Sequence, residues 1–74
     1  MNYRENITIS PDVMLGKPVI KGTRITVEFI IKKLSEGMDI EELINEYSSL
    51  KKEDILASLA YSADVISKEE ILVS

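Results

Sequence analysis

Five cations are placed where they can grip an anion: Lys17, Lys21 and Arg24 in the first third of the chain, and Lys51 and Lys52 near residue 50. An ammonium binds phosphate or carboxylate as a point charge, and a guanidinium does so through a planar fork. The first three lie within Gly16-Lys17-Pro18-Val19-Ile20-Lys21-Gly22-Thr23-Arg24-Ile25-Thr26, which mixes two glycines and a proline with β-branched residues. This stretch is close to a phosphate loop, G-x-x-x-x-G-K-[ST], but its second glycine and its lysine are exchanged, and Pro18 removes an amide donor. Gly22 is therefore read as the positive-φ position of a tight turn. Arg24 has two readings that the sequence leaves open. It contacts an acid or a DNA phosphate of a partner, or it forms an internal ion pair with Glu28 or Glu36.

Catalytic chemistry finds little to work with. The chain has no histidine and no cysteine, which removes the commonest general base and the thiolate nucleophile. No serine sits in a nucleophile-elbow context. Asp39, Glu41, Glu42 and Glu46 fall along one short helical segment and read as its solvated face. The expectation is a binding module and not an enzyme, with no cofactor and no metal.

Those residues need elements to hold them. Asn6 to Ile9 alternates and is β-branched, as a short strand does, and Ser10-Pro11-Asp12 ends it. Val19-Ile20 and Arg24-Ile25 read as a hairpin closed near Lys21-Gly22-Thr23. Val13-Met14-Leu15 is expected to pack as a loop or single helical turn beneath that hairpin. A first helix starts at the cap Thr26, buries Val27, Ile30, Ile31 and Leu34, and stops before Gly37. A second starts at Asp39, with Glu42 completing a capping box and Met38 and Leu43 a hydrophobic staple. A third runs from about Lys51 to Ile66, burying Ile55, Leu56, Leu59, Ala63 and Ile66. Tyr47 and Tyr61 sit at or beside apolar stripes. Ile71, Leu72 and Val73 close the chain as an apolar group suited to meeting a partner or tucking into the core.

The 74 residues form one domain, with 1–25 as a β element and 26–74 as a three-helix bundle with a tail. A chain of this size buries a thin core, and it has no disulfide or zinc ligand set to brace it. A homodimer is therefore expected. Ile7, Ile9, Val19, Ile20 and Ile25 of the β element are its candidate interface. The net charge of −4 is split: residues 1–35 carry six cations against three anions, and residues 36–74 carry three cations against ten anions. A basic half can mark a nucleic-acid surface, and an acidic half can mimic nucleic acid before a basic protein cleft. No stretch approaches the ~20 apolar residues of a membrane span, and residues 1–15 contain no long apolar run. The chain reads as cytoplasmic with no membrane contact.

The second and third helices, joined by Ser48-Ser49-Leu50, have the order of a helix-turn-helix. Such a unit would carry Lys51, Lys52, Glu53 and Asp54 toward DNA. A plain helical bundle has the same order, and the pattern alone does not separate the two.

Taken together, Ser10-Pro11-Asp12, Gly16-Lys17-Pro18-Val19-Ile20, Gly22-Thr23-Arg24-Ile25, Gly37, Tyr47 with Leu50, Glu53-Asp54-Ile55, and Ala57, Leu59 and Ala60-Tyr61 resemble a family of small prokaryotic proteins. It is the domain-of-unknown-function family numbered 433. The resemblance covers about residues 7 to 70. It implies a mostly α fold, a homeodomain-like helix-turn-helix bundle behind a short β element. It further implies an antitoxin, often encoded beside a PIN-like ribonuclease toxin and regulating its own operator DNA. The chain departs from the family pattern at Leu15, where many members have glycine, at Ser48, where many have proline, and at Lys51, where many have a serine or threonine cap.

Overall fold

The computed structural model describes residues 2–69. A 3-10 turn, Tyr3–Glu5, leads into strand β1, Ile7–Thr8, and a second tight turn, Met14–Gly16, precedes strand β2, Val19–Ile20. Three helices follow: α1 at Val27–Ser35, α2 at Ile40–Glu46 and α3 at Lys52–Ser67. The order is a short two-stranded antiparallel β element followed by three helices, as expected from the sequence.

The helix starts are set by local chemistry. Thr26 Oγ1 accepts the Phe29 N–H at 3.0 Å and caps α1. Asp39 Oδ1 accepts the Glu42 N–H at 2.8 Å, and Glu42 Oε1 accepts the Asp39 N–H at 3.2 Å, a complete capping box for α2. Lys51 has no capping oxygen, so α3 uses the other half of that device. Asp54 Oδ2 accepts the Lys51 N–H at 3.0 Å.

One core joins both strands and all three helices. Ile7 and Ile20 from the strands, Val27 and Ile30 from α1, Leu43 from α2, the linker residue Leu50, and Ile55 and Ala57 from α3 form a single buried cluster. Val19 is buried beside it. Burying each of these larger aliphatic side chains stabilises the fold by about 1.5–3 kcal/mol. α3 buries only one side, and Leu56, Leu59, Val65 and Ile66 stay exposed.

Three expectations are corrected. The partner of Val19–Ile20 is Ile7–Thr8, in the register Ile7↔Ile20 and Thr8↔Val19, and not Arg24-Ile25. The later segment adds only the Ile25 carbonyl, which accepts the Ile20 N–H at 3.0 Å, and one bridge, Val19↔Thr26. Thr26 already caps α1, so too few residues remain after the turn for a strand. Met14 and Leu15 do not pack beneath the β element. Both have left-handed backbones, φ 49° and 57°, and Leu15 is 94% exposed. Leu56, Leu59, Ala63 and Ile66, expected in the core, face outward because Ile55, Ala57 and Ser58 take the buried side of α3.

Candidate interaction surface around Arg24

The Gly16–Thr26 stretch builds a platform for one guanidinium. Ile20 to Thr23 close a turn in which the Thr23 N–H donates to the Ile20 carbonyl at 3.0 Å. Gly22 takes φ 78° at its third position, the conformation of a type II turn. The Thr23 hydroxyl donates to the Ile20 carbonyl at 2.8 Å and accepts the Ile25 N–H at 3.0 Å. Arg24 is thus presented from a backbone pinned on both sides.

Its side chain is exposed and lies between two shallow clefts. One, of about 420 Å³, is lined by Thr8, Val13, Val19, Gly22 and Thr23 together with Arg24. The other, of about 250 Å³, is lined by Met14, Ile25, Thr26, Phe29 and Tyr47 together with Arg24. The Phe29 and Tyr47 rings meet edge to face with centroids 5.3 Å apart, which gives that cleft a rigid wall. The left-handed Met14-Leu15-Gly16 turn borders the site, and Ile9, 57% exposed, belongs to the strand side of the same N-terminal region.

Arg24 makes no ion pair among the described residues. Glu28 is held by Lys17 at 3.0 Å, and Glu36 meets Lys33 at 3.8 Å. Neither acid expected as an internal partner is engaged by Arg24. What remains is a solvent-facing guanidinium on a pinned backbone, with apolar ground on either side. Such a site suits a carboxylate or phosphate carried next to an apolar group.

The other candidate cations sit in two places. The Lys17 ammonium is committed to Glu28 at the start of α1. Lys21 and Lys51 are brought together through their backbones: the Lys21 N–H donates to the Asn6 carbonyl at 2.9 Å, the Asn6 amide donates to Asp54 Oδ1 at 3.0 Å, and the Lys51 N–H donates to Asp54 Oδ2. Both lysines and Lys52 are exposed. Asp54 is buried and fully used inside the protein, so it does not face outward at the head of α3. Of the candidate interface residues, Ile7, Val19 and Ile20 are buried within the chain's own core and Ile25 is half-buried against it, so Ile9 is the one that is exposed. Ile71, Leu72 and Val73 lie outside the described residues.

The sequence reading passed over a second polar cluster. The Tyr3 hydroxyl donates to Asp64 Oδ2 at 2.5 Å, the Lys68 ammonium reaches the same oxygen at 3.2 Å, and the Tyr3 and Tyr61 rings meet edge to face at 5.4 Å. The bond to Asp64 holds the Tyr3 phenol above its ordinary pKa of 10.0, and the same bond, with help from Lys68, holds Asp64 below 3.8. No local pattern links residues 61 positions apart. Asp54 did carry a signal, since an acid three residues after a helix start is half of a capping box. Among the described residues, no group of three or more acids could hold a metal ion, and no helix is long and apolar enough to cross a membrane.

Comparison with known proteins places this geometry in context. Residues 7–62 match a family described as "Protein of unknown function (DUF433)". A crystal structure of a DUF433 member protein from Anabaena variabilis is similar, with a TM-score of 0.79 at 30% identity, over 90% of this chain and 70% of that one. The uncharacterized protein y4eO of Sinorhizobium fredii is 34% identical over 59 residues, which are 80% of this chain and 27% of that protein. The chain therefore spans about a quarter of the length of the curated relative it matches.

Proposed function

The chain belongs to the DUF433 family, and on that premise we propose that it is a non-catalytic binding module of the antitoxin kind. In this reading its Arg24 face holds an acidic group of a protein partner, with apolar side chains of that partner in the two flanking clefts. The observation that carries it is the exposed Arg24, pinned by Thr23 and free of any ion pair among the described residues, on the most distinctive motif of the sequence. Two non-glycine residues with positive φ beside it support the reading, because backbone strain of about 1–3 kcal/mol per residue concentrates at binding sites. The partner class implied by the family resemblance is a PIN-like ribonuclease, met in the cytoplasm. The test is binding and inhibition of such a protein encoded beside this one. Arg24→Ala should weaken the complex by about 30-fold or more, the scale of an interface hot spot. An unchanged affinity would sink the reading.

A second reading is favoured by a separate observation, the joining of Lys21 and Lys51 through Asn6 and Asp54. That rim, with Lys52 beside it and Lys17 once released from Glu28, suits the phosphates of operator DNA. Binding of a duplex from the protein's own promoter should then fall steeply with salt, with a log–log slope of about −0.9 per phosphate neutralised. Lys21→Ala and Lys51→Ala should each reduce that slope by about one.

A further inference from the structure

A further cleft, of about 450 Å³, opens where the N-terminal turn meets β1 and α3. Tyr3, Arg4, Thr8, Ile9, Lys21 and Tyr61 line it, and among the described residues no acid does. Its size falls within the range of small-molecule sites. Backbone bonds bring its two cations to one place. Asn2 Oδ1 accepts the Arg4 N–H at 3.2 Å at the start of the turn, and the Asn6 N–H donates to the Tyr3 carbonyl at 2.9 Å at its end. The Asn6 carbonyl accepts the Lys21 N–H across the strand pair.

These cations are not used inside the protein. The Arg4 guanidinium and the Lys21 ammonium are exposed and form no ion pair among the described residues, Glu5 included. The acids tied to this region are engaged elsewhere, Asp64 by Tyr3 and Lys68, and Asp54 by Asn6 and Lys51. The Thr8 and Tyr61 hydroxyls also lack a hydrogen-bond partner among the described residues, and neither is sealed from water. Tyr3 differs, because its hydroxyl is held by Asp64 and its ring is thereby fixed. Tyr61 stands at 89° to that ring, and the Arg4 guanidinium lies 5.2 Å from its centroid. An aromatic corner therefore sits beside two uncompensated positive charges.

We infer that this cleft binds the phosphate monoester of a nucleoside, with the phosphate between Arg4 and Lys21 and the base against the tyrosine corner. Two cations call for more negative charge than one carboxylate supplies, and a phosphate monoester carries about −1.5 to −2 at pH 7. Its oxygens accept from a guanidinium fork, an ammonium and a hydroxyl together. The rings set the other half of the ligand. A flat base stacks on an aromatic face or a guanidinium plane, and Ile9 adds apolar cover. A free nucleotide and the 5′-phosphate end of a single strand share this chemistry. The site uses Lys21 but neither Arg24 nor Lys51, so it rests on neither reading above. Its failure would leave the operator rim to its own test, the salt slope on duplex DNA.

The test is calorimetric titration of the full chain with adenosine monophosphate, with amide NMR shifts to locate the ligand. Ribose phosphate, which lacks the base, should bind at least about fivefold more weakly. Adenosine, which lacks the phosphate, should bind about tenfold more weakly or worse. These comparisons use the wild type and need no variant to fold. Arg4→Ala and Lys21→Ala, both at exposed positions, should each weaken adenosine monophosphate by about tenfold. The shifts should centre on residues 3–9, Lys21 and Tyr61. No binding of adenosine monophosphate up to millimolar concentration overturns the inference. So does equal affinity for ribose phosphate, an unaffected Arg4→Ala, or shifts centred on Arg24 or Lys51. Tighter binding of O-phosphotyrosine than of adenosine monophosphate would assign the cleft to a phosphoprotein and overturn it too. A short oligoadenylate with a 5′-phosphate separates the two sources. Binding tighter than adenosine monophosphate marks a strand end, weaker binding marks a free nucleotide, and either upholds the site.

Discussion

Leu15 places a large apolar side chain in water on a backbone with φ 57°, where an L-residue is disfavoured by about 1–2 kcal/mol. Glycine adopts that conformation freely. Leu15→Gly is therefore expected to raise stability to urea by about 1 kcal/mol, the relief of strain exceeding the extra freedom of the unfolded chain. It should weaken partner binding at the Arg24 face at the same time; stability and affinity moving together in one direction would contradict the role given to this turn. Tyr3 and Asp64 give a pH signature. The phenol titrates above its ordinary value of 10.0 in the folded protein, so its contribution is complete below pH 10 and fades as pH rises through the folded value. Asp64 titrates below 3.8, so its contribution is present above that pH and fades as pH falls through the depressed value. The stability difference between wild type and Tyr3→Phe should form a plateau across neutral pH and shrink at both edges. Urea titrations over a pH series check this, and a difference that is constant across the series would rule the bond out.

Among the elements, α2 and α3 start in related ways with different consequences. Asp39 and Glu42 form an exposed capping box, so Asp39→Ala should cost about 1 kcal/mol. Asp54 is buried and satisfies both the Lys51 N–H and the Asn6 amide. Asp54→Ala leaves two part-buried donors without their acceptor and should cost about 2–3 kcal/mol, which chemical denaturation of the two variants side by side will separate. The three helices were legible because their caps and apolar spacing lie within a few residues of each other. The strand pairing was not. Ile7 and Ile25 are equally β-branched candidates for Ile20, and the choice rests on Thr26 being taken as the cap of α1. The motif around Gly22 and Arg24 was recognisable, whereas the Met14 and Leu15 backbones beside it break the rule that apolar clusters turn inward. The outward stripe of α3 escaped notice because its residues are as apolar as those of the buried side. Only contacts from other elements tell the two sides apart.

The whole molecule measures 44 × 31 × 22 Å with a single core. The tie between Tyr3 and Asp64, with β1 lying against α3, carries a kinetic meaning as well. Contacts so distant in the chain form only after local structure has shortened the loop between them. Of the strands and helices described, β1 emerges before all the others, and the helix it leans on emerges after them. The opening strand therefore stays without its α3 contacts until that helix has been made, and this domain completes its fold only once its last helix is available.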